Sequence, residues 1–213
     1  MHRTLAAFAP FAAAAALLAA PAPARAFFSL ELHYGVERAD ATSLKHGLDA
    51  ALSDTARLKN SAQIVGGLAT LKLGVLELGA VADRTWKKDG PSITAVGGLA
   101  GLGFDVGAIR LEALGEAGGR RYGDFLKDPA VITRGSNAEW LAYVGVRPGI
   151  AYRAELGGGL GFLIGVWGFA RWDVTSKNVP VTVRPSEGGP DTSAEYELGG
   201  VTFGATGRVG IDF

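Results

Sequence analysis

The sequence predicts an all-β protein: an eight-stranded antiparallel up-and-down transmembrane β-barrel, placed after a cleaved signal peptide. Three observations carry this. Apolar and polar residues alternate with period two through nearly all of the chain beyond residue 26. Short and long connections alternate between the strand-like runs, as in an up-and-down barrel whose two ends differ. Gly is abundant, 32 of 213 residues against a usual ~7%. It has no Gly-X-Y period and is scattered inside strand-like segments, which marks crowded β-structure and excludes collagen.

The N-terminus is read first. Met1-His2-Arg3-Thr4 is short and basic, and Leu5 to Ala20 is apolar and Ala-rich. Pro21 and Pro23 break any helix, and Ala24-Arg25-Ala26 supplies the small residues that a signal peptidase needs. Residues 1–26 therefore read as a Sec-type signal peptide, cut before Phe27, and residues 27–213 as the barrel domain. The apolar run is short of the ~20 residues that a spanning helix needs. There is no Cys, which removes disulfides and thiolate metal sites and suits an oxidising compartment. Lys+Arg and Asp+Glu are 21 each, so nothing in the charge balance points to nucleic acid.

Eight strands follow in order: Phe28–Arg38, Gln63–Leu73, Leu76–Trp86, Ile93–Phe104, Ile109–Arg121, Glu139–Ile150, Gly159–Asp173 and Tyr196–Phe213. Gly74-Val75, Asp105 to Ala108 and Ala151 to Gly158 are the short connections. Ala39–Ala62, Lys87–Ser92, Tyr122–Ala138 and Val174–Glu195 lie at the other end, and three of these are long and polar. Runs of 11 to 13 residues match what a tilted strand needs to cross a bilayer core. Closure pairs every backbone N–H and C=O, which no isolated strand in lipid can do.

The faces of the strands differ in chemistry. In the first strand Phe28, Leu30, Leu32, Tyr34 and Val36 share one face, with Glu31, His33 and Glu37 on the other. In the last, Val201, Phe203, Ala205, Gly207, Val209, Ile211 and Phe213 oppose Thr202, Gly204, Thr206, Arg208, Gly210 and Asp212. The seventh alternates less cleanly, with Leu163, Trp167 and Phe169 on its polar face. A lipocalin-like soluble binder and a membrane barrel both show such alternation, with opposite faces inward. Three features favour polar-inside. Gly on the polar face suits a narrow lumen. Its charges have both signs, and Glu31, His33, Glu77, Arg110, Glu112, Arg147, Arg171 and Arg208 are expected to form a lumen network because buried charges must pair. Aromatics sit at strand ends: Trp86, Tyr122, Trp140, Trp172 and Tyr196 at the long-loop end, Phe28, Phe104, Tyr152 and Phe213 at the other. Trp86, Trp140, Trp172 and Phe28 are thus expected in two interfacial girdles. Tyr122 and Tyr196 have the parity of the polar face, so a bulge or a shifted boundary is needed to bring them into a girdle.

On these residues the chain resembles the small eight-stranded outer-membrane β-barrels of Gram-negative bacteria, the OmpA/OmpX-like group. Val209-Gly210-Ile211-Asp212-Phe213 is similar to the C-terminal signal that the barrel-assembly machinery reads in such proteins, with Val209, Ile211 and Phe213 as its apolar positions. Thr206 matches the polar residue seven positions before the end, and Arg208 departs from the usual Gly five before it. The resemblance implies an outer-membrane location and insertion from the periplasm. It implies outer-membrane lipid and the assembly machinery as partners, and it does not imply a ligand.

Chemistry-bearing patterns are few. His2, His33 and His46 have no metal-ligand spacing. His33 near Glu31 suggests acid/base work, as in an enzyme that transfers or removes acyl chains on lipid A, but Ser29 lies over ~13 Å along the strand and cannot be its nucleophile. Gly157-Gly158-Gly159-Leu160-Gly161 precedes a strand, so it is no dinucleotide fingerprint. Leu44, Leu48, Ala51 and Leu52 recur at helical spacing within Ser43 to Leu58, which allows a short amphipathic helix or a plain loop. No catalytic residue, cofactor or metal is assigned. A structural or surface-interaction role is expected, with a monomer, a side-chain-filled lumen and a partner met through the long loops. The lipid A enzyme and the lipocalin-like binder stand as the alternatives.

Overall fold

The computed structural model describes residues 26–39, 42–45, 61–86, 92–123, 131–133, 138–183, 190 and 192–213. The expected signal peptide lies outside the described residues except for the backbone of Ala26. Twelve strands are present among the described residues: β1 Ala26–Ala39, β2 Thr42–Lys45, β3 Ser61–Leu73, β4 Leu76–Trp86, β5 Ser92–Val106, β6 Ile109–Gly123, β7 Val131–Thr133, β8 Ala138–Gly157, β9 Leu160–Asp173, β10 Lys177–Val183, β11 Thr192–Leu198 and β12 Val201–Asp212.

Eight of them close into one antiparallel barrel in the order β1-β12-β9-β8-β6-β5-β4-β3. β1 closes the cylinder. It pairs with β12 from Ser29↔Asp212 to Ala39↔Thr202 and with β3 from Ala26↔Leu73 to Arg38↔Ser61. Three hairpins end in tight turns, at Gly74-Val75, Gly107-Ala108 and Gly158-Gly159. Gly74, Gly107, Gly158 and Gly159 have positive φ, the backbone that twist-matched hairpin turns require. The chain end also lies here, where Phe28 and Phe213 exchange backbone hydrogen bonds of 2.9 and 3.0 Å.

Alternation turns one face of each strand inward. Glu77, Val81, Asp83 and Thr85 of β4 are buried, while Leu76, Leu78, Ala80, Ala82, Arg84 and Trp86 are exposed. The large exposed apolar side chains, among them Leu32, Leu78, Val146, Ile150, Ile164 and Val209, cover the outside, and the buried charged side chains fill the inside. This arrangement is the inverse of a lipocalin-like barrel. Within β8, Pro148 has no N–H to donate, and the ladder to β9 skips Arg147 and Pro148 between Val146↔Ala170 and Gly149↔Trp167.

Three expectations are corrected. Tyr196–Phe213 is two strands, because Gly199 and Gly200 take φ of 112° and 133° and end the ladder between β11 and β12. The sixth strand does not stop at Ile150. It runs to Gly157, so the turn is two residues and not eight. The long-loop segments also hold strands: β2, β11, β10 and β7 form a second antiparallel sheet in that order. Ser43 and Leu44 belong to β2 and are not helical. Leu48, Ala51 and Leu52 lie outside the described residues. The second sheet continues the β9/β12 pair, with Asp173 N–H donating to Gly200 C=O at 2.9 Å where the arm begins.

Candidate functional site

The inward faces meet in a lumen packed in layers. Along β6 the buried side chains include Arg110, Glu112, Leu114, Glu116, Arg120 and Tyr122, and this order repeats the layers from the tight-turn end to the long-loop end.

Nearest the long loops, Arg120 stands between Glu37 of β1 at 3.7 Å and Asp173 of β9 at 3.2 Å. The Tyr122 hydroxyl donates to Asp173 at 2.5 Å, and Thr85 donates to Glu37 at 3.3 Å. Tyr122 is therefore a lumen residue. Its period-two parity is correct as it stands, and no bulge carries it to the outside. The side chain of Tyr196 lies outside the described residues.

The next layer centres on Asp83. His33 Nε2 lies 2.6 Å from Asp83 Oδ1, Arg147 Nη2 donates to Asp83 Oδ2 at 2.8 Å, and Arg171 Nη2 bonds the same oxygen. Glu116 accepts from Arg147 Nε at 3.2 Å and from Arg171 Nε. Two guanidinium groups thus share two carboxylates. The Arg171 guanidinium also stacks 4.9 Å from the Phe169 ring and 5.4 Å from that of Tyr143. Planar guanidinium suits such a site because it bonds edge-on and stacks face-on at once.

Below lies an apolar layer of Leu68, Val81, Leu99, Leu114 and Trp167. The Trp167 indole lies on Gly149, where a Cβ would sit 2.9 Å from Trp167 Cδ2, so glycine is required by close approach. Trp167 looked like a break in the alternation. An indole is accommodated on this face because Gly149 makes room on one side and Arg208 caps its ring at 3.9 Å.

A third ionic layer follows. Arg208 reaches Glu31 at 3.0 Å and also Glu112, Arg110 reaches Glu112 at 3.0 Å, and Arg110 donates to Glu77 at 2.6 Å. Lys72 with Asp105, and Arg153 with Asp212, each at 2.5 Å, finish the tight-turn end.

The eight expected lumen residues are all buried. Glu31, Glu77, Arg110, Glu112 and Arg208 meet in one layer, and His33, Arg147 and Arg171 in the layer around Asp83. Glu37, Asp83, Glu116, Arg120 and Asp173 complete the pairs and were absent from the expected network. Period two marks each of them as inward, but their role as partners appears only when closure brings distant strands across the lumen. Such closely bonded pairs survive burial because each charge has its counter-ion and hydrogen bonds together. For acid/base chemistry the geometry offers His33 only Asp83. Ser29 hydrogen-bonds to Thr70 at 2.5 Å, and among the described residues no hydroxyl bonds to His33. Nor do three or more His, Asp or Glu among the described residues form a group that could hold a metal ion.

On the outside, Trp86, Trp140 and Trp172 are exposed toward the long-loop end. Phe28 and Phe213 are exposed at the other, with ring centroids 5.4 Å apart. Val209 and Ile211 are exposed on the same outward face of β12.

No family model matches the chain, and no curated protein matches it in sequence. Among solved structures it is similar to Neisserial surface protein A, at 11% identity and a TM-score of 0.49, over 89% of this chain and 99% of that one. It is similar to the outer membrane protein OprG from Pseudomonas aeruginosa, at 13% and 0.46, over 89% and 97%. It is similar also to the N-terminal β-barrel domain of Pseudomonas aeruginosa OprF, at 12% and 0.40, over 87% and 97%. By its own geometry, an ionic interior inside an apolar cylinder, the chain is a closed eight-stranded barrel of the outer-membrane type.

Proposed function

We propose that the protein is a non-conducting, non-catalytic scaffold of the outer membrane that carries its second sheet on the external side as a contact surface. One observation supports this above the others: the lumen is crossed by three ionic layers, two above and one below an apolar layer. Eight strands leave an interior just wide enough for side chains, and here Trp167 and five arginines occupy it. A continuous water path would have to open the Leu68–Trp167 layer and break pairs above and below it.

Orientation follows from the ends. Tight turns and chain termini belong on the periplasmic side and longer connections outside. Val209, Ile211 and Phe213 then stand at the periplasmic end of the last strand, where the assembly machinery would read them. The tryptophans Trp86, Trp140 and Trp172 lie at the outer interface, and Phe28 at the inner one. The partner of the second sheet is an external one. Planar-bilayer recording tests the scaffold reading. Purified, refolded protein should give no stable conductance steps, and reproducible ohmic steps at single-barrel occupancy would contradict it.

A further inference from the structure

Among the described residues every lumen arginine faces a carboxylate. Three of the described arginines outside do not: Arg38 of β1, and two that share a row across neighbouring strands. Arg84 of β4 and Arg121 of β6 are exposed, and neither has an ion pair among the described residues. They share one row across the sheet: Arg84↔Thr94 and Thr94↔Arg121 are register pairs, and Arg121↔Trp140 continues the row. Two strand spacings separate the arginines, about 10 Å, which two long side chains can span toward one anion. Trp86 lies beside Arg84, with the guanidinium 5.9 Å from its ring. The Trp140 indole lies across Gly119, where a Cβ would be 3.0 Å away, one pair below Arg121.

The surface beneath this row is thin. One row down, Val96 stands between Ala82 and Gly119, and beneath it Ala80, Gly98, Ala117, Ala100 and Gly115 occupy neighbouring outward positions on β4, β5 and β6. A Cβ on Gly98 would find nothing nearer than 3.9 Å. Elsewhere around the barrel the outward face carries Leu32, Tyr34, Val146 and Ile164, all large and exposed. A shallow furrow therefore opens just below Val96, under two cations without an ion pair and flanked by indoles.

We propose that Arg84 and Arg121, with Thr94 between them, bind the phosphate of a lipid headgroup in the external leaflet, with its acyl chains in the furrow below. Guanidinium groups bond phosphate with charge assistance and fixed geometry. Indoles settle at that depth, and a smooth furrow gives acyl chains continuous dispersion contact. A second copy is a poorer occupant. A two-fold axis through the furrow would set its Arg84 and Arg121 at the same height as these, like charge against like. The proposal rests on the membrane reading above.

Native mass spectrometry of the full chain in detergent tests it, with bis-phosphorylated lipid A, its dephosphorylated form and inorganic phosphate as probes. Wild type should retain the phosphorylated lipid at least about tenfold more tightly than the dephosphorylated one. The Arg84→Gln/Arg121→Gln variant should lose that preference, and Arg38→Gln, an outward arginine on β1, should keep it. Ala80→Leu with Gly98→Leu, filling the furrow, should weaken the lipid and leave the heat-modifiable gel shift intact. Equal retention of both lipids, inorganic phosphate competing as well as lipid, or a dimer that Ala80→Leu dissociates would each overturn the proposal. Recovery of the protein in the aqueous phase on detergent partition would instead defeat the membrane reading itself.

Discussion

Asp83 shows how one side chain carries a layer. It receives His33, Arg147 and Arg171, so its loss leaves two buried guanidinium groups with only Glu116 to share. Removing one partner of a buried pair costs about 3–5 kcal/mol because the other charge stays buried. Asp83→Ala should therefore lower unfolding stability by that order in urea titrations followed by tryptophan fluorescence. Glu155→Ala provides the contrast. Its pair with Arg153 is 80% exposed on the carboxylate side, and the change should stay below about 1 kcal/mol. A small cost at Asp83 would mean that water reaches the layer. At this level the sequence told much: inward parity picked out Glu31, His33, Arg147 and Arg208. It did not tell which acid meets which base. Asp83 and Arg171 are 88 residues apart and meet only across a closed lumen.

On the outward face of the strands, the same substitution should cost according to depth. Val146 sits outward in mid-strand on β8 and Val201 outward where β12 begins. Val146→Arg should cost about 2–4 kcal/mol and Val201→Arg about 0–1, because the price of a lipid-facing cation falls from midplane to interface. Equal costs, measured by reversible unfolding in lipid vesicles, would place both sites in the same solvent. Strands were the most legible part of the chain, and Leu76–Trp86 matches β4 at both ends. What stayed hidden was where a ladder stops. Period two runs on past Gly199 and Gly200, since alternation records which side a residue faces and not whether its backbone is paired. Positive φ at that glycine pair separates the barrel from the arm. The second sheet was hidden for a related reason. β2 and β7 have four and three residues, too short for a pattern, and they exist because β10 and β11 offer edges to pair with.

The cylinder as a whole was foreshadowed by an even strand count and by connections of alternating length, which place β1 beside β12. Its interior was not, because layers emerge from registers that no single strand contains. What the entire reading requires is that the outward side meets acyl chains. The chain has no Cys, so single cysteines carry spin labels without background. Labels on β8 at Ala142, Val144, Val146 and Ile150 face out, and those at Leu141, Tyr143 and Ala151 face in. In reconstituted bilayers the outward set should collide freely with oxygen and hardly at all with a water-soluble nickel chelate, while the inward set is shielded from both. Outward labels that meet the nickel chelate more often than oxygen would show that water, and not lipid, surrounds this barrel.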